Sequence, residues 1–123
     1  YGLQGRIALL QGGLLAPVAG PLDLIVSNPP YVPRERLPEL PEDVRLFEPV
    51  QALDGGVGGL AVIERLLHQA AQRLATPGLL LVEIDATHGE TVRAMATHLW
   101  PQDSVTIVPD YAGRDRLLRV ELA

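Results

Sequence analysis

The chain has 123 residues, which is enough for one domain with a hydrophobic core but too few for two. It contains no Cys, which excludes disulfides and thiolate metal sites, and all ten of its basic residues are Arg. The net charge of −5 is spread without a basic block, which argues against direct binding of duplex DNA through its phosphates. Because no apolar run approaches the roughly 20 residues of a membrane span, we predict a soluble, cytoplasmic protein that has no membrane partner.

Short apolar runs predict strands, and apolar residues at helical spacing predict helices. In chain order the predicted elements are a strand at Arg6–Leu10, a strand at Leu22–Ser27, a long loop over Val32–Gly59, a helix over Leu60–Leu74, a strand at Leu79–Val82, a helix over His88–Leu99, and strands at Val105–Val108 and Leu117–Leu122. The loop is rich in Pro, Glu and Gly, and loops of this length in compact domains are usually functional or mobile. The link between the last two strands is short and has no helical pattern, which predicts an antiparallel hairpin.

The alternation of strands and helices predicts an α/β fold with a mostly parallel sheet, covered on both faces and closed by a C-terminal antiparallel hairpin. Ligands of such sheets bind beyond the carboxyl ends of the strands. Asn28 follows the strand at Leu22–Ser27 directly, so we expect it to lie at such an end.

The segment Asn28-Pro29-Pro30-Tyr31 has unusual hydrogen-bonding properties. Neither proline has a backbone N–H, so this stretch of main chain can accept hydrogen bonds but can hardly donate them. Each proline also holds the residue before it in an extended conformation. The result is a stiff series of acceptors beside an aromatic face, which is suited to bind a planar NH2 group.

The segment and its neighbours resemble a known family. Val-Ser-Asn-Pro-Pro-Tyr-Val-Pro at residues 26–33 resembles the substrate motif of the HemK/PrmC-type protein-(glutamine-N5) methyltransferases, which modify peptide-chain release factors. Asn-Pro-Pro-Tyr alone is shared with DNA adenine-N6 methyltransferases. The further segments that are similar to family signatures are Asp43–Pro49, Ala52–Gly56, Gly59-Leu60, Glu83-Ile84 and Asp110–Arg116.

The resemblance implies a partial Rossmann-like, class I S-adenosylmethionine-dependent methyltransferase fold. Residues 1–123 would be the carboxyl-terminal portion of a methyltransferase domain, without its cofactor-binding N-terminal half and without the domain that recognises the release factor. The Arg6–Leu10 strand would then lack its neighbours and be re-docked, swapped or loosely held. The exposed edge of the Leu22–Ser27 strand would favour a homodimer. We expect the isolated chain to bind the cofactor weakly or not at all, and to be inactive.

The resemblance also implies roles for individual residues. The Asn28 side-chain oxygen and the Pro29 carbonyl would each accept a hydrogen bond from the glutamine NH2, and Tyr31 would pack against the amide plane. Pro30 and Glu48 would contribute to substrate binding. The cofactor, S-adenosyl-L-methionine, would lie near Asn28, and the family's acidic residue beside its adenine falls at Gly13.

Other interpretations stay open. The alternative substrates are an adenine in nucleic acid and a glutamine in another protein. A third alternative is a cofactor-free remnant that only binds a partner. Glu83 is expected either to face the site or to cap a strand, and Asp110 and Arg116 to pin the hairpin. His68 and His98 are expected to face solvent, and the three scattered His residues do not form a metal site.

Overall fold

The computed structural model describes residues 2–123, which form a mixed four-stranded sheet packed against helices. The strands are β1 (Leu22–Ser27), β2 (Leu74–Glu83), β3 (Ser104–Pro109) and β4 (Asp115–Leu122). The α-helices are α1 (Glu42–Phe47), α2 (Val50–Leu53), α3 (Ala61–Ala71) and α4 (Gly89–Leu99), and 3-10 helices lie at Arg34–Glu39 and Val57–Gly59. None of the helices formed by residues 2–123 has the length and apolar character needed to cross a membrane.

The sheet has the order β1-β2-β4-β3. β1 runs parallel to β2, whereas β4 runs antiparallel to both β2 and β3. The predicted antiparallel hairpin is therefore confirmed. The predicted mostly parallel sheet is wrong for the described residues, because two of the three strand pairs are antiparallel and the sheet is mixed. Because of these directions, the ends of β1 and β2 and the loop between β3 and β4 all lie at one edge of the sheet, which we call the carboxyl edge.

The hydrophobic core lies between one face of the sheet and helices α3 and α4. The buried positions of α3 recur at helical spacing, and those of β2 and β4 alternate, because one stripe of a helix and one face of a strand can meet the same core. The core residues without exposed surface include Ile63, Ala70, Leu80, Val82, Ile84, Val92, Ala96, Leu118 and Val120. Trp100 is also buried in this core, after the last turn of α4.

The other face of the sheet is open at β1 within residues 2–123. Leu24 and Val26 point away from the core and are 55% and 68% exposed. The expectation of a sheet covered on both faces is therefore wrong for the described part of the chain. The near-continuous apolar composition of β1 suggested burial on two sides, but α3 and α4 share one face.

The predicted strand at Arg6–Leu10 is wrong. Residues 2–13 are exposed, and their pairing is limited to an isolated bridge between Gln4 and Ile7. Leu9 is 94% exposed. Apolar composition favours an extended strand, but a strand also needs a neighbour to satisfy its backbone groups, and no strand among residues 2–123 lies beside this segment. Of the three predicted outcomes for this segment, the loosely held one agrees best with its exposure.

Two other elements differ from the prediction in their extent. The region predicted as a loop from Val32 to Gly59 contains α1, α2 and both 3-10 helices. β2 begins at Leu74 rather than Leu79, because Leu74 pairs with Leu22 of β1. The Leu22 N–H also donates to the Arg73 carbonyl at 2.7 Å. The helix predicted to reach Leu74 accordingly ends at Ala71.

The position of Leu80 in the core gives a stability prediction. Leu80→Ala should lower the free energy of unfolding by about 2–5 kcal/mol, because it removes buried methyl groups and leaves a cavity. The matched change Leu46→Ala, at a side chain that is 67% exposed, should alter it by less than about 0.5 kcal/mol. Urea unfolding of both variants measures the difference, and equal losses would contradict the assigned core.

Candidate functional site

The Asn28–Tyr31 segment lies at the carboxyl edge of the sheet, directly after β1. The Asn28 side chain is exposed and Pro29 is buried, whereas Pro30 and Tyr31 are half-buried. The buried proline anchors the segment, so the amide of Asn28 is presented to solvent from a fixed backbone. This is the position expected for a ligand-binding residue in a sheet of this kind.

A cleft of about 320 Å³ lies against this segment. It is lined by the sequence from Asn28 to Val32 on one side, and by Glu48, Ala52 and Leu53 on the other. The structure therefore brings together Asn28, Pro29, Pro30, Tyr31 and Glu48, although 16 residues separate Tyr31 from Glu48 in the chain. We call this cleft the amide cleft.

Gly13, expected beside a cofactor, does not line the amide cleft. It is exposed, and its carbonyl accepts a hydrogen bond from the Ala16 N–H at 3.1 Å. A Cβ atom added at Gly13 would meet nothing within 4 Å. Its neighbour Leu14 lies closer to the site, because it lines an adjacent cleft of about 420 Å³ together with Pro30.

Backbone hydrogen bonds hold the far wall of the amide cleft in place. The Val32 N–H donates to the Leu53 carbonyl at 3.0 Å, and the Gly55 N–H donates to the Val32 carbonyl at 2.9 Å. This short parallel bridge joins the residues after Tyr31 to the end of α2. Because α1 and α2 are separated only by Glu48 and Pro49, the bridge also determines where Glu48 lies.

Asp54 strengthens the same connection through its side chain. One carboxylate oxygen accepts a hydrogen bond from the Gly56 N–H at 2.8 Å, and the other binds the Arg34 guanidinium at 2.9 Å. The hydrogen bond from Gly56, together with Arg34, holds the pKa of Asp54 below its ordinary value. The carboxylate is therefore ionised at neutral pH and braces the turn that follows α2.

Two glycines allow the main chain to approach Tyr31 closely. A Cβ atom at Gly55 would lie 2.8 Å from the Tyr31 Cα, and one at Gly59 would collide with the Tyr31 carbonyl oxygen. Gly59 also has a φ of +79°, which side chains rarely adopt. The glycine-rich segment at residues 55–59 therefore packs against the Asn28–Tyr31 segment.

His88 is a neighbour of the site that the sequence analysis did not assign to it. It is 7% exposed, and its Cε1 would lie 2.9 Å from a Cβ atom at Gly59. Its Nδ1 is buried and has no hydrogen-bond partner among residues 2–123. The periodic pattern placed His88 only at the start of α4, and no local signal indicates that the turn before α4 reaches the glycine segment.

Glu83, at the end of β2, is directly connected to the amide cleft. The Tyr31 hydroxyl donates a hydrogen bond to Glu83 Oε1 at 2.8 Å. Burial of the phenol, followed by this hydrogen bond and the nearby negative charge of Glu83, raises the pKa of Tyr31 above its ordinary value. Tyr31 is thus a neutral phenol whose ring is oriented by this hydrogen bond. Of the two roles expected for Glu83, facing the site and capping a strand, the structure shows the first.

Two acceptors at the cleft remain available for a ligand. Within residues 2–123, neither the Asn28 side-chain oxygen nor the Pro29 carbonyl receives a hydrogen bond from another residue. An NH2 group has two N–H donors, which is the complement of these two acceptors. The arrangement can therefore hold a planar amide or amine, because the two prolines have no backbone N–H that would compete with the ligand for these acceptors.

The remaining residues lie where the sequence predicted. Asp110 and Arg116 contact each other at 3.5 Å across the β3–β4 hairpin, and His68 and His98 are exposed on their helices. Within the described part of the chain, no group of three or more His, Cys, Asp or Glu side chains is arranged to hold a metal ion.

Sequence comparisons show that the chain is similar to methyltransferases. It is 48% identical over 116 residues to the release factor glutamine methyltransferase of Moorella thermoacetica, a match that covers 94% of this chain and 41% of that protein. The protein with the same name from Gloeobacter violaceus is 36% identical over 119 residues, covering 96% of this chain and 42% of the relative. The one from Deinococcus radiodurans is 37% identical over 118 residues, covering 95% and 41%. No family model matches the chain.

The chain matches the carboxyl-terminal part of these release factor glutamine methyltransferases. It spans about two fifths of the length of the curated relatives that it matches. The resemblance recognised from the motifs of the sequence is therefore confirmed.

The close approach of Gly59 to Tyr31 can be tested with a matched pair of variants. Gly59→Ala should lower the free energy of unfolding more than Gly113→Ala, although both positions have nearly the same φ, +79° and +78°. Both variants incur the cost of a left-handed residue, about 1–2 kcal/mol, but a Cβ atom at Gly113 would meet nothing within 4 Å. The collision at Gly59 should add about 1–3 kcal/mol. Chemical denaturation measures both losses, and similar values would argue against the close contact.

The Tyr31–Glu83 hydrogen bond predicts a pH dependence. Since the pKa of Tyr31 is raised on folding, its contribution to stability is complete below pH ~10 and is lost as the pH rises through the raised value. Tyr31→Phe should be less stable than the wild type at pH 8, and the difference should shrink as the pH rises above the ordinary tyrosine pKa of about 10. The chain has no Lys or Cys, so tyrosines dominate the side-chain titration in this range. A difference in unfolding free energy that stays constant from pH 8 to 11 would contradict this assignment.

Proposed function

We propose that this chain forms the substrate-amide site of an S-adenosylmethionine-dependent enzyme that methylates the N5 nitrogen of a glutamine in peptide-chain release factors. The observation that carries the proposal is the amide cleft, which is lined by Asn28, Pro29 and Glu48. The Asn28 side-chain oxygen and the Pro29 carbonyl accept no hydrogen bond from another residue within residues 2–123. The relatives from Moorella thermoacetica and Gloeobacter violaceus, which are 48% and 36% identical to this chain, are named release factor glutamine methyltransferases, and this supports the proposed substrate.

The residues of the cleft act by positioning the glutamine. The Asn28 oxygen and the Pro29 carbonyl accept one hydrogen bond each from the glutamine NH2, which fixes the direction of the nitrogen lone pair. An amide nitrogen is a weak nucleophile because its lone pair is delocalised into the carbonyl. As positive charge develops on this nitrogen during methyl transfer, the same two acceptors stabilise it. No strong general base is required.

The other residues of the cleft shape the pocket for the amide. Tyr31, whose ring is held by Glu83, packs against the amide plane, and Pro30 forms the rigid backing of the segment. Glu48 lies across the cleft and is exposed, so its carboxylate can accept a hydrogen bond from the substrate. We assign Glu48 to substrate binding.

The sheet supports a Rossmann-like, class I methyltransferase fold. Its order β1-β2-β4-β3 is the one expected if these strands correspond to strands four, five, six and seven of that fold, where seven lies between five and six. On this reading the chain is the carboxyl-terminal portion of a methyltransferase domain. β1 is the outermost strand of the sheet formed by residues 2–123, and one of its faces is open. Both features agree with this reading, and they also leave room for the predicted homodimer.

The residues around Gly13 do not by themselves fit the cofactor. Gly13 is exposed and has no atoms within 4 Å of an added Cβ, so this position forms no cradle for an adenine ring. In enzymes of this class S-adenosylmethionine supplies an electrophilic methyl group. We propose that residues 2–123 provide the amide-holding side of the reaction and bind S-adenosylmethionine weakly or not at all on their own.

The acidic character of the chain favours a protein substrate over a nucleic acid. Its net charge is −5, whereas enzymes that flip a base out of DNA need basic residues to bind the phosphates. A release factor is therefore the proposed partner. A cytoplasmic location follows from this partner and stays a prediction.

The proposal predicts the effect of changing Asn28. The full-length gene product, supplied with S-adenosylmethionine and a release factor, should methylate one glutamine, which mass spectrometry of proteolytic peptides detects. Asn28→Ala should lower kcat by about 100- to 1,000-fold, as removal of one stabilising group at a transition state does. Asn28→Gln keeps the amide but displaces it by one CH2 group, so it should lose activity by a comparable factor.

Thr97→Ala is the matched control, because Thr97 is exposed near the end of α4, at the opposite edge of the sheet. It should retain the wild-type kcat. The unfolding midpoints of all three variants show whether the fold is preserved. Because the Asn28 side chain is exposed, we expect its substitutions to leave the midpoint near that of the wild type. A wild-type protein that leaves every glutamine of the release factor unmodified would refute the function, and a fully active Asn28→Ala would refute the role of Asn28.

A further inference from the structure

A second cleft lies at the carboxyl edge of the sheet, beside the amide cleft. It has a volume of about 550 Å³, within the roughly 300–1,000 Å³ of ordinary ligand sites. It is lined by Glu83, residues 108–111, Arg116 and Leu117. We call it the hairpin cleft, because all of its walls except Glu83 come from the β3–β4 hairpin.

Glu83 joins the two clefts. Its Oε1 accepts the hydrogen bond from Tyr31, which lines the amide cleft, and its side chain lines the hairpin cleft. A polypeptide whose glutamine enters the amide cleft therefore has the hairpin cleft next to it.

The loop that forms the hairpin cleft is held by Asp110. Its carboxylate accepts hydrogen bonds from the N–H groups of Ala112 and Arg114, at 2.9 and 3.0 Å. The hydrogen bond from Arg114 is the largest cause that holds the pKa of Asp110 below its ordinary value. The Asp110 N–H donates in turn to the Arg114 carbonyl at 2.8 Å. A loop with these internal bonds has its backbone ordered before any ligand arrives.

Tyr111 is presented to solvent by this ordered loop. Its relative exposure is 114%, the highest of the large apolar side chains that are exposed in residues 2–123. An aromatic ring on a preorganised backbone offers a large contact area at a low entropic cost. Such rings are enriched among the residues that dominate binding energy at protein interfaces.

The polar groups of the hairpin cleft match a peptide backbone. Within residues 2–123, the Arg116 side chain makes two long contacts, with the Ile84 carbonyl at 3.4 Å and Asp110 at 3.5 Å. Several of its five N–H donors therefore have no partner among these residues. Within residues 2–123, Glu83 Oε2 has no hydrogen-bond donor. The cleft thus offers a donor for a peptide carbonyl and an acceptor for a peptide N–H, whereas the carboxylates of Glu83 and Asp110 would repel phosphates.

We propose that the hairpin cleft binds an extended peptide segment that flanks the target glutamine, with Tyr111 packed against its main chain. This inference rests on the proposed function and adds a second binding subsite to it. Arg116 donates to a carbonyl of the segment, and Glu83 connects the segment to the ring that orients the amide.

Steady-state kinetics of the full-length gene product test the subsite, with a synthetic peptide that carries the target glutamine and its natural flanking residues. Tyr111→Ala should raise KM for this peptide about tenfold, which corresponds to the loss of one interface residue of moderate importance. It should change kcat by less than about twofold, because the ring does not touch the reacting atoms. Tyr111→Phe keeps the ring and should restore KM, and Thr97→Ala serves as the unrelated surface control.

The outcomes separate the subsite from the function. If the wild type does not methylate glutamine, the proposed function fails and the subsite fails with it. If the wild type is active and Tyr111→Ala leaves KM unchanged, only the subsite is refuted. A loss of kcat in Tyr111→Ala with unchanged KM, or a Tyr111→Phe variant as weak as Tyr111→Ala, also refutes it. Competition by an adenine-containing oligonucleotide that disappears in Tyr111→Ala would assign the cleft to nucleic acid instead.

Discussion

The close approach of the glycine segment to the backbone of Tyr31 is the constraint on which the site depends. Gly55 and Gly59 leave no room for a Cβ atom beside the Tyr31 main chain. The Val32 N–H donates to the Leu53 carbonyl, the Gly55 N–H donates to the Val32 carbonyl, and these two bonds hold the two segments together. This contact brings Glu48 to the cleft. Without it, the stiff backbone after β1 would have no opposite wall, and its acceptors would face only water.

The hydrogen bond between Tyr31 and Glu83 extends this arrangement along the sheet. It connects the residues that follow β1 with the end of β2, two positions that parallel strands necessarily bring to one edge. Since β3 and β4 form a hairpin whose loop reaches the same edge, a single carboxylate lies between the amide cleft and the hairpin cleft. The proposed polypeptide substrate would therefore contact both clefts without any rearrangement of the sheet.

Much of the fold was predictable from local patterns. β1, α3, α4 and the final hairpin were predicted close to their observed bounds, because apolar periodicity and turn residues act over a few positions. The strand predicted at Arg6–Leu10 failed because pairing is not a local property: its residues are apolar, yet no strand among residues 2–123 lies beside them. The short helices after Val32 were also missed, since helices of four to six residues have too few turns to produce a periodic signal.

For the site, the sequence by itself determined the chemistry of the acceptors, because two consecutive prolines remove backbone donors wherever they occur. Its motifs also indicated the family, which the relatives confirm. Only the tertiary structure decided which residues meet: Glu48 opposite Asn28, Glu83 against Tyr31, and His88 behind Gly59. These contacts join residues far apart in the chain. They arise from the direction of the strands and from the close approach that glycine allows because it has no side chain. Neither of these is encoded in a local pattern.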